Sequence, residues 1–189
     1  MGLDQYIYRA KKPKLENKVY TAEELANMNL HKAWAHEVIE DRDLIEQLLP
    51  YTQIIQAQSN FLNSKQIIVD YNLPENSYLG YIGPDGIQMY GKDENGNSVS
   101  QFITQDEVDK KYVLTETLPC YVWDTEEIQY WRKCYDIQDW IYEHIDGVQN
   151  TGYYMLVADL IREFNKEFDE DIPKEDPDEE SALFYYEWY

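Results

Sequence analysis

The sequence predicts an α+β fold: a single domain of 189 residues with a mostly antiparallel sheet flanked by helices. Three observations predict it. Hydrophobic residues make up 43% of the chain, enough to build a core in spite of its charge. The middle of the chain alternates short β-branched and aromatic runs with turns rich in Gly, Asn and Asp, the mark of consecutive hairpins. Stretches on either side space apolar residues three and four apart behind capping residues, the mark of amphipathic helices.

The elements follow in order. Residues 3–9 alternate as a strand, with Leu3, Gln5 and Ile7 on one face and Tyr6 and Tyr8 on the other. Lys11, Lys12, Lys14 and Lys18 then surround Pro13 in a solvated basic loop. Thr21 and Glu24 have the spacing of a capping box, opening a short helix to about Met28. A second helix carries Leu30, Trp34, Val38, Ile45, Leu48 and Leu49 on one stripe until Pro50 ends or kinks it. A third helical stretch places Ile54, Ile55, Gln58, Phe61 and Leu62 together, with Asn60 and Asn63 at its end. Ile67, Ile68 and Val69 make 65–71 a strand or extended segment.

Hairpins come next. Strands at 78–82, 87–90 and 98–103 are joined by turns at 83–86 and 93–97. Thr104 and Glu107 form a second capping box over a brief helical turn. Residues 112–115 and 120–123 are further strands, separated by Pro119. Asp124 and Thr125 are expected to cap a long helix over 126–145, stopped by Gly147. Its apolar face holds Tyr130, Trp131, Cys134, Ile137, Ile141 and Ile145. Residues 153–156 read as a strand and 157–168 as a helix. Residues 169–180 hold eight acidic side chains against one Lys, with Pro173 and Pro177, and read as an irregular acidic loop. The aromatic end, 181–189, is expected to return as a strand against the sheet.

Charge sets the partner class. The formal net charge is −21, from 37 acidic and 16 basic residues. Phosphates need Lys and Arg to displace counterions, so direct nucleic-acid binding is disfavoured. Anionic membrane surfaces are disfavoured for the same reason. A basic protein surface suits the chain instead, and its 18 Tyr suit an interface, being large, stiff and amphipathic. No apolar run approaches the roughly 20 residues of a membrane span, and the start lacks the basic and apolar regions of a signal peptide. Gly2 does not begin a myristoylation motif, because Tyr6 stands where Ser or Thr is required. Two cysteines, Cys120 and Cys134, give no disulfide scaffold and point to the cytoplasm.

Two stretches carry a resemblance. The opening Met1-Gly2-Leu3-Asp4-Gln5-Tyr6-Ile7-Tyr8 is similar to the MGLDMYL start of a family of small uncharacterised bacteriophage and prophage proteins. Glu127-Ile128-Gln129-Tyr130-Trp131-Arg132-Lys133, followed by Ile137-Gln138-Asp139-Trp140-Ile141, resembles that family's E-x-x-YWRK … IHxWF segment. Gln138 replaces the family's His, so no role for a His carries over. Residues 153–168 and 183–189 match more loosely, and 20 to about 117 fall outside the likeness. The resemblance implies a mobile-element origin and no chemistry.

Catalytic motifs are missing. There is no phosphate loop, dinucleotide fingerprint or zinc spacing. His31 and His36 are five apart and share no helix face, and His144 reads as structural, so no metal site is expected. Asp93-Glu94-Asn95-Gly96-Asn97-Ser98 places Gly fourth where a calcium loop wants it sixth, so it reads as a hairpin turn. Cys134 reads as core, and Cys120 has no His near it in sequence to activate it. Trp131 reads as core, with Arg132 pairing Asp136 one helical turn on. Trp140 falls in the polar arc beside Asp136 and Glu143 and is the best single anchor for a partner.

The expected function is therefore inhibition by binding. A phage or mobile-element protein would offer carboxylates as a nucleic-acid mimic and block a host nucleic-acid-binding or defence protein, as an anti-CRISPR or anti-restriction factor does. The partner-binding candidates are Trp140, Asp136, Asp139 and Glu143 on one helix, with Asp169, Glu170, Asp171, Asp176, Asp178, Glu179 and Glu180 in the acidic loop. Glu40 and Asp41 would extend the patch. No catalytic residue, metal or cofactor is expected, and a homodimer is compatible with the sequence. A small nuclease-like enzyme and a virion structural or assembly protein are the alternatives.

Overall fold

A computed structural model describes residues 2–38 and 46–189. The chain is α+β with mostly antiparallel sheets, as expected. Its contacts gather into two compact units, Met1–Ala57 with Leu118–Tyr189, and Gln58–Thr117.

The first unit is built on β1 (Asp4–Lys11), whose alternation buries Gln5 and Ile7 on one side and turns Tyr6 and Tyr8 to the other. The terminal strand β10 (Ser181–Trp188) pairs antiparallel with β1 along its whole length. β9 (Tyr153–Leu156) pairs with β10 on the far side. On the other side of β1, residues 124–132 of β8 (Val113–Arg132) run antiparallel to it with a bulge opposite Ile7 and Tyr8. The sheet continues through β4 (Gln53–Leu62) to β2 (Val19–Tyr20), which lies parallel to β4. β3 (His31–Trp34) pairs with β8 off this path.

Two helices cover one face of this sheet. α5 (Tyr135–His144) contributes Ile137 and Ile141, and α6 (Ala158–Phe168) contributes Ile161 and Phe164. They meet Ile7, Tyr154, Leu156, Leu183 and Tyr185 in the largest core. A second cluster lies on the opposite face, where Leu48 and Tyr51 pack with Ala10, Trp123, Tyr153 and Phe184. Tyr20, Leu25, Ile55, Ala57, Cys120 and Val122 form a third, beneath α1 (Ala22–Asn27).

The second unit holds the predicted hairpins, β5 (Tyr78–Gly83), β6 (Gly86–Lys92) and β7 (Ser98–Thr104), in that order. Ile87, Met89 and Ile103 pack against Ile67 of α3 (Ser64–Asp70) and against Val108 and Tyr112 of a π-helical turn, Val108–Tyr112. Both capping boxes form: Thr21 with Glu24 on α1, and Thr104 with Glu107 on α4 (Gln105–Glu107).

Four expectations are corrected. The second predicted helix is β3 followed by α2 (Ala35–Val38), and its Ile45 lies outside the described residues. The third is the strand β4. The segment 65–71 is helical, because Asn63 caps it by accepting a hydrogen bond from the Gln66 N–H. The long helix over 126–145 is only α5. Residues 126–132 belong to β8, which also runs through Pro119, and Lys133 turns the chain with a positive φ of 58°.

Candidate functional site

The acidic candidates fall into two groups. On α5, Asp136, Asp139 and Glu143 are exposed on the outer side, while Ile137 and Ile141 point to the sheet. Trp140 on the same helix is half-buried. Its ring stacks on His144 at 3.8 Å between centroids and meets Phe164 and Phe168 of α6 edge-on. Arg132 does not pair with Asp136; it approaches Asp4 at 3.8 Å, because it sits in the strand beside β1.

The acidic loop is held at several points. Its first residue, Asp169, closes α6 in the left-handed conformation, with φ 55°. Asn165 of α6 bonds Ile172 twice, donating from Nδ2 to its carbonyl and accepting its N–H at Oδ1. Glu170 accepts from the Trp131 indole at 2.8 Å and from Gln129 at 2.7 Å. Asp176 accepts the Ala158 N–H at the start of α6. Asp178 accepts the Glu180 and Ser181 N–H groups, which hold its carboxyl below the usual range. Asp169, Asp171, Glu179 and Glu180 are exposed. Glu170, Asp176 and Asp178 hold the loop, Asp176 and Asp178 while still exposed, and this places the other exposed carboxylates. Glu40 and Asp41 lie outside the described residues.

The face of the sheet opposite α5 and α6 carries a feature the sequence reading missed. Tyr130, Tyr6, Tyr186 and Tyr153 stand in register on β8, β1, β10 and β9, a row of four phenols across four strands. Tyr6 and Tyr8 stack along β1 at 5.1 Å, and Tyr153 and Tyr186 lie 4.9 Å apart. Trp123 meets Tyr153 edge-on and stacks on His31 at 5.6 Å. Trp188 stands opposite Asp4 at one end. Tyr6, Tyr8, Tyr153, Tyr186, Trp123, His31, Thr151 and Trp188 line an open groove of about 360 Å³. Beyond His31 lies a polar hollow of about 280 Å³ that includes Asp124 and Thr125.

Burial is the first cause raising Tyr6, Tyr8, Tyr153 and Tyr186 above the ordinary phenol value. Burial, then the charges of Asp4 and Glu127, raises Tyr6. Burial pushes Tyr8 up to about 12 and raises Tyr186. His31 keeps an exposed edge, yet the crowding around its ring lowers its pKa, against the pull of Asp124. Alternation along β1 was legible, but reading 126–132 as helix hid Tyr130, and strand pairing was needed to align the row.

Gln5, Tyr185 and Glu187 form a buried polar network beneath α5. Glu187 accepts from Tyr142 Oη, Tyr185 Oη and Gln138 Nε2 at 2.5, 2.9 and 3.0 Å. Gln138 thus serves a structural hydrogen bond. Among the described residues no three His, Cys, Asp or Glu side chains are grouped to hold a metal ion, and no helix is long and apolar enough to cross a membrane. No protein-family model matches the chain, and no curated protein or solved structure matches it either.

Proposed function

We propose that this protein is an inhibitory binding protein of a phage or mobile element, acting in the host cytoplasm as an acidic nucleic-acid mimic. Its target would be a host nucleic-acid-binding or defence protein with a basic groove, the class that anti-CRISPR and anti-restriction factors block. One observation carries this reading. Asp136, Asp139 and Glu143 form an exposed stripe on α5, while Glu163 and Glu167 are exposed on the neighbouring α6. The loop that follows α6 adds Asp169 and Asp171, anchored by Asn165 and Glu170. Carboxylates held on packed helices and a pinned loop can meet Lys and Arg side chains that otherwise grip phosphates. A net charge of −21 would steer encounter with such a surface.

Competition tests it. The partner captured from host lysate should release this protein when its own DNA or RNA is added, and the reverse. Asp136→Lys, Asp139→Lys and Glu143→Lys together should weaken binding by about tenfold or more, with unfolding unchanged within about 1 kcal/mol, because exposed charges contribute little to stability. A partner that binds equally well with its nucleic acid in place would exclude mimicry.

A further inference from the structure

We infer that the tyrosine groove receives an arginine side chain projecting from a basic protein partner, seated by cation–π attraction on the opposite sheet face from the α5 stripe. The proposal rests on the reading that the partner is a basic protein, and it adds a second, chemically distinct contact.

The walls fit a planar cation. Tyr6, Tyr8 and Tyr186 present rings whose centroids lie within 6.1 Å of one another, and Tyr153 closes the side toward β9. Aromatic faces carry negative charge density and attract a guanidinium within about 6 Å of the centroid. Arg is the better fit than Lys, because its planar head stacks on a ring while still donating in its plane. The phenols, held neutral, and Thr151 offer oxygens at the groove for those in-plane N–H groups.

Charge complementarity selects the sign. Among the described residues that line the groove there is no Lys or Arg. The carboxylates of Asp4 and Glu127 act on Tyr6, and Asp124 lies beyond His31. Arg132, near Asp4, and Lys32, near His31, are the opposing charges; Arg132 is 67% exposed, and Lys32 is tied to the Leu25 carbonyl. Neither Asp4, which accepts from Tyr130 Oη, nor Asp124 lines the groove, but a phosphate there would find no Lys or Arg among the described lining residues to receive it. The volume, at the small end of the roughly 300–1,000 Å³ usual for ligand sites, suits one side chain and not a folded segment.

The test uses the full chain and a short peptide, Gly-Arg-Gly-Arg-Gly, with a second peptide carrying citrulline for arginine. Citrulline keeps the shape and removes the charge. Titration followed by Trp fluorescence and by the ring signals of His31 and Trp123 should show binding of the arginine peptide alone. Tyr6→Leu and, separately, Tyr186→Leu should weaken it roughly fivefold to thirtyfold. The triple reversal Asp136→Lys, Asp139→Lys, Glu143→Lys should leave the groove signals responding. Equal binding of the citrulline peptide would overturn the proposal. So would binding lost only in the triple reversal, an outcome that leaves the mimicry reading standing. Conversely, groove binding that persists while nucleic acid fails to compete for the partner would sink mimicry and leave the groove.

Discussion

Glu187 has no exposed surface and no cation within ion-pairing distance among the described residues. A buried carboxylate in that position must be satisfied by hydrogen bonds, and Tyr142, Tyr185 and Gln138 supply three. Tyr185 is also fully buried and accepts from Gln5, so it joins β1 and β10 beneath α5. Tyr185→Phe removes the shared hydroxyl and leaves two buried groups each short of one partner. It should cost about 1–3 kcal/mol in urea unfolding; a smaller loss would show that Glu187 is carried by Tyr142 and Gln138 alone. The two thiols make a second contrast. Cys120 is completely buried, and burial pushes its pKa up to about 11. Cys134 is half-buried at the start of α5. Iodoacetamide at neutral pH should therefore label Cys134 in the native protein and Cys120 only after unfolding. Native labelling of both at similar rates would contradict the packing around Cys120.

The hairpins, β1, β9 and β10 were legible from turn residues and alternation, whereas β3, β4, the helical segment 64–70 and the 126–132 stretch of β8 were not. The hairpins of β5, β6 and β7 follow from their own turns; Asp93 accepts from the Asn95 and Asn97 N–H groups and fixes the second one. Both capping boxes were visible for the same reason. Residues 126–132 have helical spacing and an apparent cap at Asp124 and Thr125, yet strand pairing won. Tyr130 and Trp131 face Tyr6 and Gln5 of a strand more than a hundred positions away. The exposed acids of α5 and the loop were predictable as charges, but which of them anchor the loop was not, because Glu170 depends on Trp131 and Asp176 on Ala158. In the second unit, α3 is tied to the π-helical turn by Asp70. It pairs with Lys111 at 2.6 Å and accepts from Gln66 and Tyr112, and these partners, Lys111 first, hold its carboxyl at about 2. A lowered folded pKa means stability present above the ordinary value of 3.8 and lost as pH falls through about 2. The stability gap between the wild type and Asp70→Asn, read from amide exchange in α3, should thus be open near about pH 5 and close as pH falls through that window. A gap independent of pH would mean that the carboxylate's charge is irrelevant.

At the scale of the whole molecule, the charge of −21 acts on folding as well as on binding, and in opposite directions with salt. Exposed carboxylates on α5, α6 and the loop repel one another in the folded state more than in an expanded chain. Among the described residues few cations offset them: the ion pairs of Lys14 with Glu180 and of Arg162 with Asp159 join side chains that are mostly exposed, and such pairs add little. Raising ionic strength from about 0.01 M to 0.15 M shortens the screening length from roughly 30 Å to 8 Å, which quenches long-range repulsion first. The Tm should therefore rise by a few degrees over that range. Over the same range the association rate with a basic partner should fall, because steering depends on the same unscreened field. The pairing of these two trends is the informative measurement. Weakened association alongside a raised Tm assigns the loss to screening at the interface, since the protein itself has become more stable. A Tm that falls with salt would show instead that attractive pairs such as Arg9 with Glu126 and Glu175 outweigh the net repulsion, and that the acidic surface is less crowded than its charge implies.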